Sequence, residues 1–218
     1  MLGQVAELSM KDRNQALRIA VRTIAFGSWP QASFNDMLIL GEAAVREALE
    51  AGELDDANIM CFNMATNLAD CWGDPYIREK KHFELGLAYA DKALQLRKQL
   101  GKPADKHAMA HWARGKHLLS LGRRGEALSA MAASREAWGI HAASSVGFKD
   151  DHEDILGADA WLGFAQWAAG STEGKVRYQA ALDRIKKLSS SDPRKKDAAE
   201  IYIEQLMVAE KQLNQSTR

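Results

Sequence analysis

Apolar residues recur at intervals of three and four along almost the whole chain, and strict apolar-polar alternation over strand length is scarce. That is the pattern of helices with one buried face. Glycine and proline divide it into nine predicted helices and no strand. The first runs from Met10 to Phe26 and stops at Gly27-Ser28-Trp29-Pro30. The second covers Phe34 to Ala51 and is closed by Gly52. Asp55 or Asp56 caps a third, Ala57 to Trp72, which ends at Gly73-Asp74-Pro75. A fourth spans Lys81 to Leu100, a fifth Asp105 to Leu121 and a sixth Gly125 to Ala137. After a loop around Ala143 to Lys149, the seventh covers Asp154 to Ala169 and the eighth Lys175 to Leu188. The Ser189-Ser190-Ser191-Asp192-Pro193 stretch reads as the start of a last helix reaching Leu213, with its proline in the first turn.

The helices repeat in pairs. From Trp112 to Leu128 the chain reads WARGKHLLSLGRRGEAL, and this segment resembles one tetratricopeptide repeat. Trp112 stands early in helix A, Gly115 three residues later, Leu121-Gly122 at the turn, and Glu126-Ala127-Leu128 opens helix B. The physical reading agrees. Gly115 and Ala127 have little or no side chain, so a neighbouring helix can lie close, and Gly122 lets the chain reverse within a few residues. Weaker copies stand at Ala57–Trp72 with Gly86–Leu96, at Ala158–Ala165 with Tyr178–Leu182, and at Gly41–Leu49. Ala48, Ala93, Ser134 and Ala181 then lie 45, 41 and 47 residues apart, more than the family's period of about 34.

The resemblance implies a right-handed α-solenoid, residues 1–218 forming one helical-repeat domain. Its pairs are about 10–51, 57–100, 105–138 and 154–188, with a capping helix at 193–213. Stacks of this kind need a polar outer face at their ends. Asp192, Asp197, Glu200, Glu204, Glu210 and Lys211 supply one, while Ile201, Ile203, Leu206 and Leu213 cover the last pair.

Charge changes the picture in detail. The 218 residues hold 29 basic and 29 acidic side chains, which argues against a generic nucleic-acid binder. Yet residues 34–74 carry nine acids and one base, and residues 75–136 thirteen bases and six acids. Either acidic and basic repeats pair side by side, or the array presents a polarised surface to a charged partner. Arg184, Lys186, Lys187, Arg194, Lys195 and Lys196 read as a solvated face. No stretch is apolar enough for a membrane span, and the N-terminus lacks the form of a signal peptide. With only two cysteines, the expectation is a cytoplasmic protein.

Catalytic chemistry finds little support. His107 and His111 stand four apart on one helix face, but Ala108 occupies the place of a metalloprotease glutamate and no third ligand beyond Asp105 is near. Asp150-Asp151-His152-Glu153-Asp154 lacks the register of a calcium loop and suits a helix N-terminus. Cys61 and Cys71 read as buried core, their thiol pKa raised by apolar surroundings. The serines form no nucleophile elbow, and Gly122-Arg123-Arg124-Gly125 is no phosphate loop. The expectation is a chain that is not an enzyme and carries no catalytic residue, metal or cofactor.

What remains is the inner surface. In tetratricopeptide proteins helix A residues line a concave groove, and the resemblance places Asn63, Asn67, Trp112, Lys116, Phe164 and Trp167 there. Asparagines hold a peptide backbone, a lysine a carboxylate, and the aromatics supply contact area; equally, the aromatics read as inter-repeat core. The expected function is a protein-binding scaffold or adaptor that seats a peptide or partner helix. Two alternatives stay open. One is a ligand- or peptide-sensing regulator, favoured by a pocket closed by the Gly73–His82 or Ala142–Asp154 inserts. The other is a helical enzyme with a metal on His107, His111 and an acid from 150–154. Nucleic acid and membrane are not expected partners, and a homodimer through an exposed end pair is left open.

Overall fold

The computed structural model of the chain describes residues 9–25, 28–29, 31–145, 148 and 151–216. Among them are nine helices and no strand. We number them α1 (Met10–Ala25), α2 (Phe34–Glu50), α3 (Leu54–Asn67), α4 (Lys80–Gln99), α5 (Ala104–Ser120), α6 (Arg124–Ser144), α7 (Glu153–Ala168), α8 (Thr172–Ser191) and α9 (Lys196–Ser216). Phe26, Gly27, Pro30, Lys149 and Asp150, which the sequence places in loops or at a helix end, lie outside the described residues.

Each helix packs against the next, and α1, α3, α5, α7 and α9 also touch one another in succession. The odd-numbered helices therefore form one continuous layer, and the even-numbered ones pack between them. This helix-pair packing is consistent with a solenoid. Three-residue turns join α2 to α3, α5 to α6 and α7 to α8, so the chain reverses there at once. Gly122 makes the α5–α6 reversal with φ +73°, a conformation that a side chain disfavours.

The side-chain-poor positions lie at helix crossings. A Cβ on Gly163 of α7 would stand 2.5 Å from the Tyr178 backbone nitrogen of α8, and one on Gly115 of α5 2.8 Å from Met131 Cε of α6. Ala127 is fully buried. Large apolar side chains fill the rest: Leu17, Ile24, Met37, Met60, Met64 and Leu96 in the N-terminal half, and Met131, Trp161, Tyr178, Ile185 and Leu206 in the C-terminal half. Each contributes about 1.5–3 kcal/mol by leaving water. Cys61 and Cys71 are buried and unbridged, and burial pushes their thiols to about 11 and about 12.

The acidic and basic blocks meet at Asp55 with Lys102, Asp70 with Lys116 and Asp74 with Arg78, while Asp56 pairs with Arg18 of α1, and Arg135 and Arg177 share Asp159.

Several boundaries differ from the pattern. α3 begins at Leu54, so Asp55 and Asp56 stand in its first turn without capping it. It also stops at Asn67 instead of Trp72, because Trp72 folds back and donates its indole N–H to Thr66 O at 2.6 Å. α6 continues to Ser144, seven residues past the expected end. α8 runs through the serines, whose hydroxyls bond back to Lys187 O and Leu188 O. Asp192 is extended before Pro193, as a residue preceding proline tends to be, and α9 begins only at Lys196.

The last helix covers α8 and α7 as a cap would, but it also reaches back along the chain. Gln212 donates to Asp70 O at 2.8 Å, and Leu206 and Ala209 share a core with Ala69 and Cys71. Ile201, expected to cover the last pair, is instead half exposed.

Candidate functional site: a cavity on the odd-helix layer

The odd-numbered layer lines a half-open cavity of about 890 Å³. All five of its helices contribute to the wall, with parts of α2 and α6 and the connection between α3 and α4. That connection, residues 68–79, is the expanded insert of the sequence, and it is built as a strap. Arg78 forks onto Asp74 with contacts of 2.8 and 2.7 Å, donates to Asn67 O at 2.8 Å, and lies over the Phe34 ring. Tyr76 stacks on the same ring, with centroids 5.1 Å apart. The Arg78 side chain is only 5% exposed, so its charge is neutralised where it sits, a condition of burying it cheaply.

The strap is fixed at its other end through Asp70. Its carboxylate takes the Lys116 ammonium and the Ser120 hydroxyl of α5, and its carbonyl accepts from Gln212 of α9. Burial alone would raise the Asp70 carboxyl; Lys116 and Ser120 outweigh that and hold it below the ordinary carboxylate value. One residue thus ties the second helix pair to the third and to the last helix.

Aromatic rings make much of the remaining wall. Trp72, Trp112 and Trp161 form an edge-to-face ladder with centroid spacings of 6.2 and 6.1 Å. Trp138 of α6 and Tyr202 of α9 add two more rings. Tyr202 donates to Asp154 Oδ1 at 2.7 Å. Gly157 makes room for it, since a Cβ there would lie 2.4 Å from the tyrosine ring. Burial raises the Asp154 carboxyl, against the lowering effect of Tyr202 and His152.

Of the six residues expected in a groove, Asn63, Asn67 and Trp112 line the cavity together. Lys116 does not: it is 2% exposed and holds Asp70. Phe164 and Trp167 also lie elsewhere, both packed on Tyr178 of α8. The reason is helical register. Gly163 faces α8, and Trp167, one turn on, shares that face. On α7 the cavity side is instead Asp154, Ala158 and Trp161, at i, i+4 and i+7.

Sequence reasoning missed Arg78, Trp138, Asp154, Tyr202 and Gln205 as wall residues. The insert length was a signal for Arg78; nothing local marks the α9 residues, which arrive from over 100 positions away.

Among the described residues no group of three or more His, Cys, Asp or Glu side chains is placed to hold a metal ion. Asp154, one of the acids in the metal alternative, is engaged with Tyr202, and Asp150 lies outside the described residues. No helix among the described residues is long and apolar enough to cross a membrane. Comparison with protein-family models, with curated proteins and with solved structures finds no match to this chain.

Proposed function

We propose that the chain is a non-enzymatic binding protein, built of tetratricopeptide-like helix pairs, that takes a short peptide or a small molecule with an apolar body into its central cavity. The observation that carries this reading is the cavity itself, walled in part by the strap of residues 72–78 and by α9. Its volume of about 890 Å³ falls within the roughly 300–1,000 Å³ of sites that enclose small ligands. Aromatic rings offer contact area, and Asn63 and Asn67, one turn apart on α3, offer donors and acceptors to an amide.

The enclosed form is favoured over an open adaptor groove by the course of α9. Its contacts with residues 69–73 lie across the layer on which a long partner helix would have to rest. A ligand-responsive regulator follows naturally from such a design, because an occupant touching α3, α5, α7 and α9 biases their relative positions.

A thermal-shift screen of tetra- to hexapeptides and small aromatic molecules tests the reading. At least one member raises the melting temperature, and the Asn63→Ala plus Asn67→Ala variant, unchanged in its own melting temperature, binds that member about tenfold more weakly. A screen in which no member shifts the melt, or equal binding by the variant, contradicts it.

A further inference from the structure

The cavity wall is chemically uneven, and the unevenness selects a ligand. Two carboxylates line it, Asp74 and Asp154. Asp74 is neutralised by Arg78. Among the described residues no lysine or arginine pairs with Asp154; its partners are the Tyr202 hydroxyl and the His152 ring, 3.6 Å away. The two arginines of the wall, Arg22 and Arg78, belong to α1 and to the strap.

The same α6–α7–α9 part of the wall carries Trp138, Tyr202 and, two turns along α7 from Asp154, Trp161. A carboxylate and aromatic rings on one wall attract a positive charge and supply its body with apolar contact. Gln205, one turn along α9 from Tyr202, adds an independent observation. It is 4% exposed, and its side-chain oxygen is buried with no hydrogen-bond partner. A buried acceptor without a partner and a carboxylate that no lysine or arginine neutralises, on one cavity wall, together suit an N–H cation. Trp112 and Trp161 contribute the reverse: their indole N–H groups are buried without an acceptor.

On the reading of the cavity as a binding site, we infer that its α6–α7–α9 end is an ammonium subsite that takes the protonated amine of an aralkylamine or of a peptide N-terminus. Asp154 serves as counter-ion, Gln205 accepts a second N–H, and Trp138, Trp161 and Tyr202 enclose the cation. A carbonyl following the amine finds donors in the tryptophan N–H groups. The raised Asp154 carboxyl agrees with this: burial disfavours its charge, and an incoming cation relieves that cost.

The test compares phenethylamine with its neutral isostere propylbenzene on the wild-type chain, read by tryptophan fluorescence. Phenethylamine is expected to bind at least about tenfold more tightly, the order of a desolvated cation–aromatic contact. Asp154→Asn, which keeps the acceptor for Tyr202, brings the two probes to within about twofold. Gln205→Leu provides a second variant that leaves the Asp154–Tyr202 bond alone and reduces the amine preference. Circular dichroism melts confirm that both fold. A free tetrapeptide amide that outbinds phenethylamine and weakens on N-acetylation assigns the source to a peptide; a weaker one assigns it to a small amine. Equal or tighter binding of propylbenzene overturns the ammonium subsite and leaves the cavity reading standing. Failure of both probes to bind overturns the cavity reading and the subsite with it.

Discussion

The second and third helix pairs are built alike and connected differently. α5 and α6 are joined by three residues and α3 and α4 by twelve. In both cases small residues bring helices together: Gly115 lies on Met131 within the third pair, and the fully buried Ala65 of α3 and Ala90 of α4 share a core within the second. The connections differ. The short turn only reverses the chain, whereas the long one folds inward, anchors on Asp70 and Arg78, and walls a cavity. A longer connection can thus add a wall to a cavity between stacked helices, provided its charges are paired where they are buried.

The largest way to break this contrast is Arg78→Ala. It leaves Asp74 without its partner and removes the cap over Phe34, so stability falls by about 3 kcal/mol. Chemical denaturation measures that loss. The strap no longer closes the cavity, and binding of any occupant weakens as well. A cut of comparable size made in the α5–α6 turn, by contrast, leaves binding by the folded fraction intact.

The crossing between the two pairs is sharpened by pH. His117 donates through Nε2 to Ala65 O at 2.7 Å, and burial depresses its pKa from 6.5 to about 4. Because the folded value lies below the unfolded one, between pH 6.5 and about 4 only the unfolded chain gains the proton. Stability therefore falls as pH is lowered through that window, by up to about 3 kcal/mol, and is flat in this group's contribution above it. Denaturant midpoints at a series of pH values, for wild type and His117→Gln, isolate the contribution; a variant with the same slope contradicts it.

Within the third pair, Gly115→Ala presses a methyl onto the flexible end of Met131, 2.8–3.1 Å away, and costs about 1–2 kcal/mol. The smallest effect has the opposite sign. Gly125, in the first turn of α6, has open space around its Cβ position, so Gly125→Ala adds about 0.5–1 kcal/mol through helix propensity. Thermal melts of the two variants place them on either side of wild type.

Much of the layout was legible because it is local. The spacing of apolar residues gives all nine helices, and Gly52, Gly101, Gly122 and Gly170 mark four of the ends by turning with positive φ. Asn63, Asn67 and Trp112 line one cavity because residues three to four apart on a helix share a face, a local rule readable in the sequence. Phe164 and Trp167 were misplaced because Trp161, two residues before Gly163, takes a different register from Trp112, three residues before Gly115. Lys116 reads as a groove cation until the strap is folded over it, and that contact joins positions 46 residues apart. The α9 wall was invisible for the same reason. Tyr202 meets Asp154 and Gln212 meets Asp70 because α9 packs on α7 and on the α3–α4 connection, which no window of sequence contains.

The proposed binding role requires that a ligand enter the half-open cavity of the odd-helix layer. Ile201 tests it most directly, because it lines the cavity yet is half exposed, so enlarging it leaves the fold in place. Titration of phenethylamine into wild type and Ile201→Trp, followed by calorimetry, is the measurement. The account predicts one equivalent bound by wild type and at least about tenfold weaker binding by the variant at an unchanged melting temperature. Equal binding by both would contradict it.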